Sequence, residues 1–372
     1  MFTIEFEIII VIILSAITCS IPGAFLVMRK NYYAADTTNR SAMLGIAIAL
    51  IFSNFLSSPL VIILGSITAI IGMILVRKIK AITGFRAKGI SIIISSIFLC
   101  LGMFISSNIT FDKYTNFDTS IIYLGETAFT YFNRLRIAGV DIGSYALYAI
   151  LIVMIINIVM VVLHYNEFKA DGVDKQYAES IKMHESKIDK MLVIMTALSV
   201  SVSFQTAGIF MTTAFILGPA AAALYYTKNL YSLAVVSVLL SSVACIIGFA
   251  IAWPTEVSIS GSIVSVIGIL FIFSVIFAPE KGVFMKYLES LSVQKQLDEY
   301  ILLDILNTNN IDNTKAVEQL ALSLNWKNNR ISFLINKLQT EKKIEEVDNK
   351  LQLTLEGKNI LNTFMETQNC FY

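Results

Sequence analysis

Long apolar runs separated by short polar interruptions fill the first three quarters of the chain. A bilayer core about 30 Å thick takes roughly 20 apolar helical residues to cross. Runs of about that length recur at 6–28, 41–56, 58–77, 89–109, 143–164, 188–205, 206–226, 230–252 and 261–278. They predict about nine spanning helices, or eight if one of the two short runs between 41 and 77 does not cross. The first run starts beside Glu5 and Glu7 and lacks the basic start and small-residue cleavage site of a signal peptide, so it reads as a retained span. Near residue 286 the apolar runs give way to a mixed polar tail with helical spacing, which predicts a membrane domain over 1–285 and a separate small domain over 286–372.

Composition agrees: 56% hydrophobic residues, 15% charged residues and a mean hydropathy of +0.72 exclude a soluble protein of this length. The expected class is an all-α polytopic membrane protein with a small appended domain. Basic residues orient the spans. Arg77, Lys78, Lys80, Arg86 and Lys88 crowd one short loop, while 110–142 and 253–260 are poorer in base, so the former faces the cytoplasm. Alternation then puts Arg29, Lys30, the loop 165–187, Lys228 and everything after Pro279 inside. With nine spans the N-terminus lies outside.

Chemistry-bearing motifs are scarce. Cys19, Cys100, Cys245 and Cys370 show no CxxC spacing, and three of them fall in spans, where a free thiol behaves as a small hydrophobe. His164 and His184 read as interfacial or solvated. A Walker A loop, an HExxH motif, a GxSxG elbow and a dinucleotide glycine fingerprint are all absent from the sequence, so the chain is expected not to be an enzyme and to hold no permanent cofactor. The loop "YNEFKADGVDKQYAESIKMHESKID" mixes aromatic, acidic and basic residues and reads either as a short helix on the membrane face, fit for docking, or as a solvated connector. The stretch "SVSFQTAGIFMTTAFILGPAAAALYYTKNL" sets Gln205 and Thr206 among apolar residues and ends in Gly218-Pro219 and four alanines. Small residues allow close helix packing, and a Gly-Pro pair predicts a helix break whose freed carbonyls need new partners or a wet path. Trp253 reads as an interfacial anchor in the outer loop beside Glu256.

These segments together resemble the ABC-3 family of metal-ion ABC transporter permeases: "PGAFLVMRKNYYAAD", the loop around Asp174, Tyr177 and Ala178, "VSFQTAGIFMTTAFILGPAAAAL", and "WPTEVSISGSIVSVIGILFIFSVIFAPEKG". The resemblance implies a type II importer fold in a bacterial inner membrane and transport of a divalent ion: manganese, zinc or iron. It implies a pair of separate ATPase subunits that bind the ATP, a second permease subunit identical or related, a metal-binding delivery protein, and contact with membrane lipids. It further implies that the loop from Tyr165 to Lys182 couples to the ATPase, with Phe168, Asp174, Tyr177 and Ala178 as contact residues.

In "ADTTNRSAMLG" the family typically carries an Asp followed one helical turn later by a His, then Pro-Gly. Asp36 and Gly45 keep that pattern, but Arg40 stands in place of the His and Leu44 in place of the Pro. A guanidinium stays protonated and has no lone pair to give a metal. Asp36, Arg40 and Gln205 are therefore candidates for the metal pathway or gate, under three readings. Asp36 and Arg40 form a polar latch with no transport role; this chain is the non-coordinating half of a heterodimer; or Arg40 repels metal until Asp36 neutralises it.

The tail reads as a winged helix: an amphipathic helix in "LDEYILLDILNT", a helix pair in "NTKAVEQLALSLNWKNNRISFLINKLQTEKK" with Thr314 as a cap, and a two-stranded wing closed by Asp348-Asn349. It resembles the DNA-binding domain of the DtxR-type metal-dependent repressors, which implies DNA contacts from Asn328, Asn329, Arg330 and Lys337. Residues 292–372 hold 9 Lys/Arg against 11 Asp/Glu, a net charge of 9 − 11 = −2, which is a poor balance for binding phosphates. Two functions stay open, a metal importer permease and a membrane-tethered or proteolytically released metal-responsive regulator.

Overall fold

The computed structural model describes residues 2–53, 58–109, 134–137, 140–168, 185–279, 282–308, 311–312, 324, 326–347 and 350–361. The chain divides into two compact units, Met1–Val283 and Phe284–Tyr372.

The first unit contains α1 (Phe2–Met28), α2 (Tyr32–Ser53), α3 (Pro59–Thr83), α4 (Ala87–Ile109), β1 (Arg134–Ile137), β2 (Val140–Ser144), α5 (Tyr145–Leu163), α6 (Glu185–Ala223), α7 (Leu230–Thr255) and α8 (Ile259–Phe277). Local chemistry sets several ends. Ser58 caps α3 by accepting from the Leu60 amide, Pro59 opens the helix, and Gly84 closes it at φ 69°. Ser258 caps α8 in the same way.

Burial separates a centre from a rim. The membrane-crossing window of α6 is 83% buried and that of α1 is 72%, whereas those of α5 and α8 are 28%. The α1 and α6 backbones almost touch: a Cβ at Gly23 would lie 2.0 Å from the Ile216 carbonyl oxygen. Without a hydrophobic force between helices in lipid, such close small-residue contact is what holds them.

Seven of the described helices are long and apolar enough to span a membrane, with α6 counted once, against the nine runs expected. Helix α6 holds both expected runs, 188–205 and 206–226: two helical halves meet directly at Gly208 (φ 63°, ψ −176°) and the chain doubles back there, since its partners on α1 pass from Arg29 (Asp189) through Thr18 (Ser199) to Ser15 (Thr206) and return to Ser20 (Phe215) and Gly23 (Ile216). Helix α2 begins at Tyr32 rather than 41, and its first turns carry Asp36, Thr37, Thr38, Asn39, Arg40 and Ser41. That polar start keeps it out of the seven, although it packs between α3 and α4. Helix α7 runs through Pro254 to Thr255, so Trp253 lies in its last turns, against Phe249 at 5.5 Å, rather than in a loop. An antiparallel hairpin, β1–β2, precedes α5, and Glu7 on α1 accepts from the Ser144 amide at 2.8 Å.

The second unit contains α9 (Val283–Thr308), β3 (Ile311–Asp312), α10 (Asn328–Thr340), β4 (Ile344–Val347) and β5 (Lys350–Leu353), followed by helical residues 355–361. The strands are antiparallel in the order β3-β5-β4. Ile331, Leu334, Ile335 and Leu338 recur at helical spacing on α10 and bury against Leu302, Leu303 and Leu306 of α9. Thr314 and Asp348-Asn349 lie outside the described residues.

Candidate functional site

Helix α2 brings Asp36 and Arg40 onto one face, one turn apart, and Arg40 Nε donates to Asp36 Oδ1 at 2.7 Å. Both remain partly open, Arg40 at 38% and Asp36 at 27% of side-chain exposure, so the pair contributes at most about 1 kcal/mol to stability. Its weight is chemical: the carboxylate already holds a cation. Among the described residues no three His, Cys, Asp or Glu side chains gather into a group fit for a metal.

On another face of the same turn, Asn39 is fully buried. Its Nδ2 donates to the Ile209 carbonyl at 2.8 Å and to Thr213 Oγ1. Ile209 follows the bend. The Gly208 backbone sits in a region that only glycine occupies without strain, and the interrupted helical ladder leaves carbonyls in want of donors. Thr212 Oγ1 serves the Gly208 carbonyl at 2.5 Å, and Thr213 Oγ1 serves that of Ile209 at 3.0 Å. Gln205, one turn before the bend, keeps both amide atoms buried with no partner among the described residues, as does Asn39 Oδ1. Buried amides of this kind carry a desolvation cost that the described residues do not offset.

The expected break at Gly218-Pro219 is corrected, because α6 continues through both residues to Ala223. Pro219 has no amide hydrogen for the Phe215 carbonyl, and Ser20 Oγ of α1 donates to that oxygen at 3.3 Å. Pro22 of α1 frees the Thr18 carbonyl in the same way, and Asn157 Nδ2 of α5 (3.3 Å) and Ser199 Oγ of α6 (3.2 Å) supply the donors. Neighbouring helices repair each proline, so neither breaks its helix. Asn39 and Asn157 were not foreseen. The signal for Asn157 was there, as a lone amide in the otherwise apolar "IVMIINIVMVV".

A second polar knot joins helix ends. Arg29 after α1 donates to Asp189 Oδ1 near the start of α6 at 2.6 Å, and Arg77 of α3 lies 3.8 Å from Asp189 Oδ2. Phe168, expected on the coupling surface, is 3% exposed and packs against Phe25 of α1 at 4.7 Å. Asp174, Tyr177, Ala178 and His184 lie outside the described residues.

In the second unit the expected DNA-contact cations are engaged internally. Arg330 pairs with Asp298 and lies over the Trp326 ring at 4.8 Å. Lys337 pairs with Glu299, and Lys343 bridges Glu341 at 2.5 Å. The Glu299 hydrogen bond raises the Lys337 pKa, the Glu341 hydrogen bond raises that of Lys343, and the Lys343 hydrogen bond lowers that of Glu341. Asn328 opens α10 and Asn329 is exposed beside it.

Residues 1–278 match the ABC 3 transport family. The chain is 27% identical over 284 residues to the manganese transport system membrane protein MntD of Bacillus subtilis, covering 76% of this chain and 95% of that one. It is 24% identical to the zinc transport system membrane protein TroD of Treponema pallidum, covering 95% and 97%. Its fold is similar to PsaBC from Streptococcus pneumoniae, solved in complex with Fab, with a TM-score of 0.63 at 20% identity over 76% of this chain and 93% of that one. The family match takes in nearly all of the multi-helix unit: this chain belongs to the ABC 3 transport family.

Proposed function

We propose that the chain is the membrane permease subunit of a bacterial ABC importer for manganese, zinc or iron. It has no catalytic activity of its own, and ATP is hydrolysed on a partner subunit. The observation that carries this reading is the family match across 1–278, the helices that make up the multi-pass unit.

Within it, the bend of α6 against α2 is the metal path, lined by Asn39 and Gln205 and guarded by the Asp36–Arg40 pair. An acid already neutralised by arginine is a poor ligand, so the chain acts as the non-coordinating half of a heterodimer, its partner permease keeping an acid–histidine pair. The loop from Tyr165 to Lys182 meets the ATPase, and Phe168 anchors its start to α1. A metal-binding protein delivers the ion from outside.

The test is ATP-dependent uptake of manganese, zinc and iron(II) into proteoliposomes holding this chain, its ATPase and its delivery protein, with and without a second permease. Uptake only with the second permease is expected. Uptake by this chain alone would remove the heterodimer assignment, and no uptake under any pairing would remove the importer reading.

The tail is read as a cytoplasmic winged helix. Support comes from its sheet order β3-β5-β4 and from α10 lying immediately before the β4–β5 hairpin. Because Arg330 and Lys337 are spent on Asp298 and Glu299, it is a protein-docking module and not a DNA reader.

A further inference from the structure

A cavity of about 350 Å³ opens between α3 and α6 at the end where Arg29, Arg77 and Asp189 meet. Its floor is apolar and closed, with Met73 at 1% and Val193 at 5% exposure. Its rim is apolar and open, with Ile74 at 45% and Ile194 at 38%. Arg77, Lys78 and Lys190 complete the lining at one end. Basic residues at this end of α3 mark it as the cytoplasmic side.

Among the described residues that line the cavity, Arg77, Lys78 and Lys190 are cations and none is an acid. Asp189 is already held by Arg29 at 2.6 Å. Arg77 Nη2, 3.8 Å from the other carboxylate oxygen, is beyond hydrogen-bond reach of it, and it is buried with no hydrogen-bond partner among the described residues. The Arg77 side chain is nonetheless 31% exposed and lines the cavity, where a guanidinium suits the oxygens of an anion. Lys78 and Lys190 are exposed beside it.

We infer that this cavity is a binding site for an anionic phospholipid of the cytoplasmic leaflet, its phosphate on Arg77, Lys78 and Lys190 and an acyl chain over Met73, Ile74, Val193 and Ile194. Both halves of the ligand are specified. The closed apolar floor takes a chain that a free phosphate lacks, and the cations take a charge that a zwitterionic lipid presents only with its own ammonium attached. The site straddles the ends of α3 and α6, so the lipid bridges the rim helix to the central one.

The experiment is native mass spectrometry of the detergent-purified full chain titrated with phosphatidylglycerol or phosphatidylcholine of matched acyl chains, with glycerophosphoglycerol as the soluble headgroup. Retention of phosphatidylglycerol is expected to exceed that of phosphatidylcholine at least fivefold. Lys78→Gln with Lys190→Gln removes that preference, and Lys88→Gln leaves it intact. Ile194→Trp, which fills the groove without touching a charge, is expected to lower retention of the anionic lipid as well. Equal retention of the two lipids, or a preference unchanged by the double substitution, overturns the site. Displacement of the lipid by glycerophosphoglycerol at equal concentration also overturns it, since the cavity would then bind phosphate alone.

Discussion

Ser20 on α1 shares its hydroxyl proton between the carbonyl of Ala16 in its own helix, 2.7 Å away, and that of Phe215 on α6, 3.3 Å away, the one acceptor that Pro219 cannot serve within its own helix. The contact turns a local defect into a bond between the two most buried helices of the membrane unit.

Replacing Ser20 by Ala should therefore lower stability by about 0.5–1.5 kcal/mol. In a Pro219→Ala background, where the restored amide serves Phe215, the same change should cost markedly less. Reversible unfolding in mixed micelles gives the double-mutant cycle. Equal losses in both backgrounds would show that the hydroxyl acts by packing alone.

At Gly208 (φ 63°, ψ −176°) any side chain is strained, so Gly208→Ala should cost about 1–3 kcal/mol. If α6 must keep its bend for transport, uptake should fall more than the amount of folded protein does. Size-exclusion yield and uptake per folded protein separate the two.

Arg40→His rebuilds an acid and an imidazole one turn apart, a pair suited to a divalent ion. Manganese binding followed by electron paramagnetic resonance should appear in this variant and weaken as pH falls through about 6.5, where the imidazole takes a proton. Absence of binding at pH 8 would mean that this face of α2 is closed to cargo.

The ion network of the tail sets its pH response. Glu341 has a lowered pKa through Lys343, so its contribution is present above its ordinary value of 4.5 and is lost as pH falls below that value. Lys337 and Lys343 have raised pKa values, so theirs is complete below 10.5 and is lost as pH climbs above it. All three groups are partly exposed, and the expected change is a few tenths of a kcal/mol, weakened by high salt. Thermal melts of the tail signal across pH and salt check it.

Because Lys337 belongs to this network and Arg330 pairs separately with Asp298, the full chain should bind labelled duplex DNA only weakly, with little salt dependence in fluorescence anisotropy. Submicromolar affinity with a steep salt slope would reinstate the regulator function.

The apolar periodicity made the helices legible, because membrane burial demands long runs and little else mimics them. It misplaced the start of α2, where Thr37, Thr38 and Asn39 are buried by contacts from other helices rather than by their own apolarity. It divided α6 close to Gly208, where its two helical halves do meet. Gly218-Pro219 misled for the opposite reason: the rule that proline breaks helices holds for a lone helix, and Ser20, which overrides it, is far away in sequence. The Asp36–Arg40 pair followed directly from spacing. The convergence of Arg29, Arg77 and Asp189 did not, since three segments remote in sequence supply one residue each.

Asp189 is tight on Arg29 at 2.6 Å and loose on Arg77 at 3.8 Å. The beginning of α6 is therefore fastened to the end of α1 by a hydrogen-bonded ion pair and to α3 only by the longer-range pull of opposite charges.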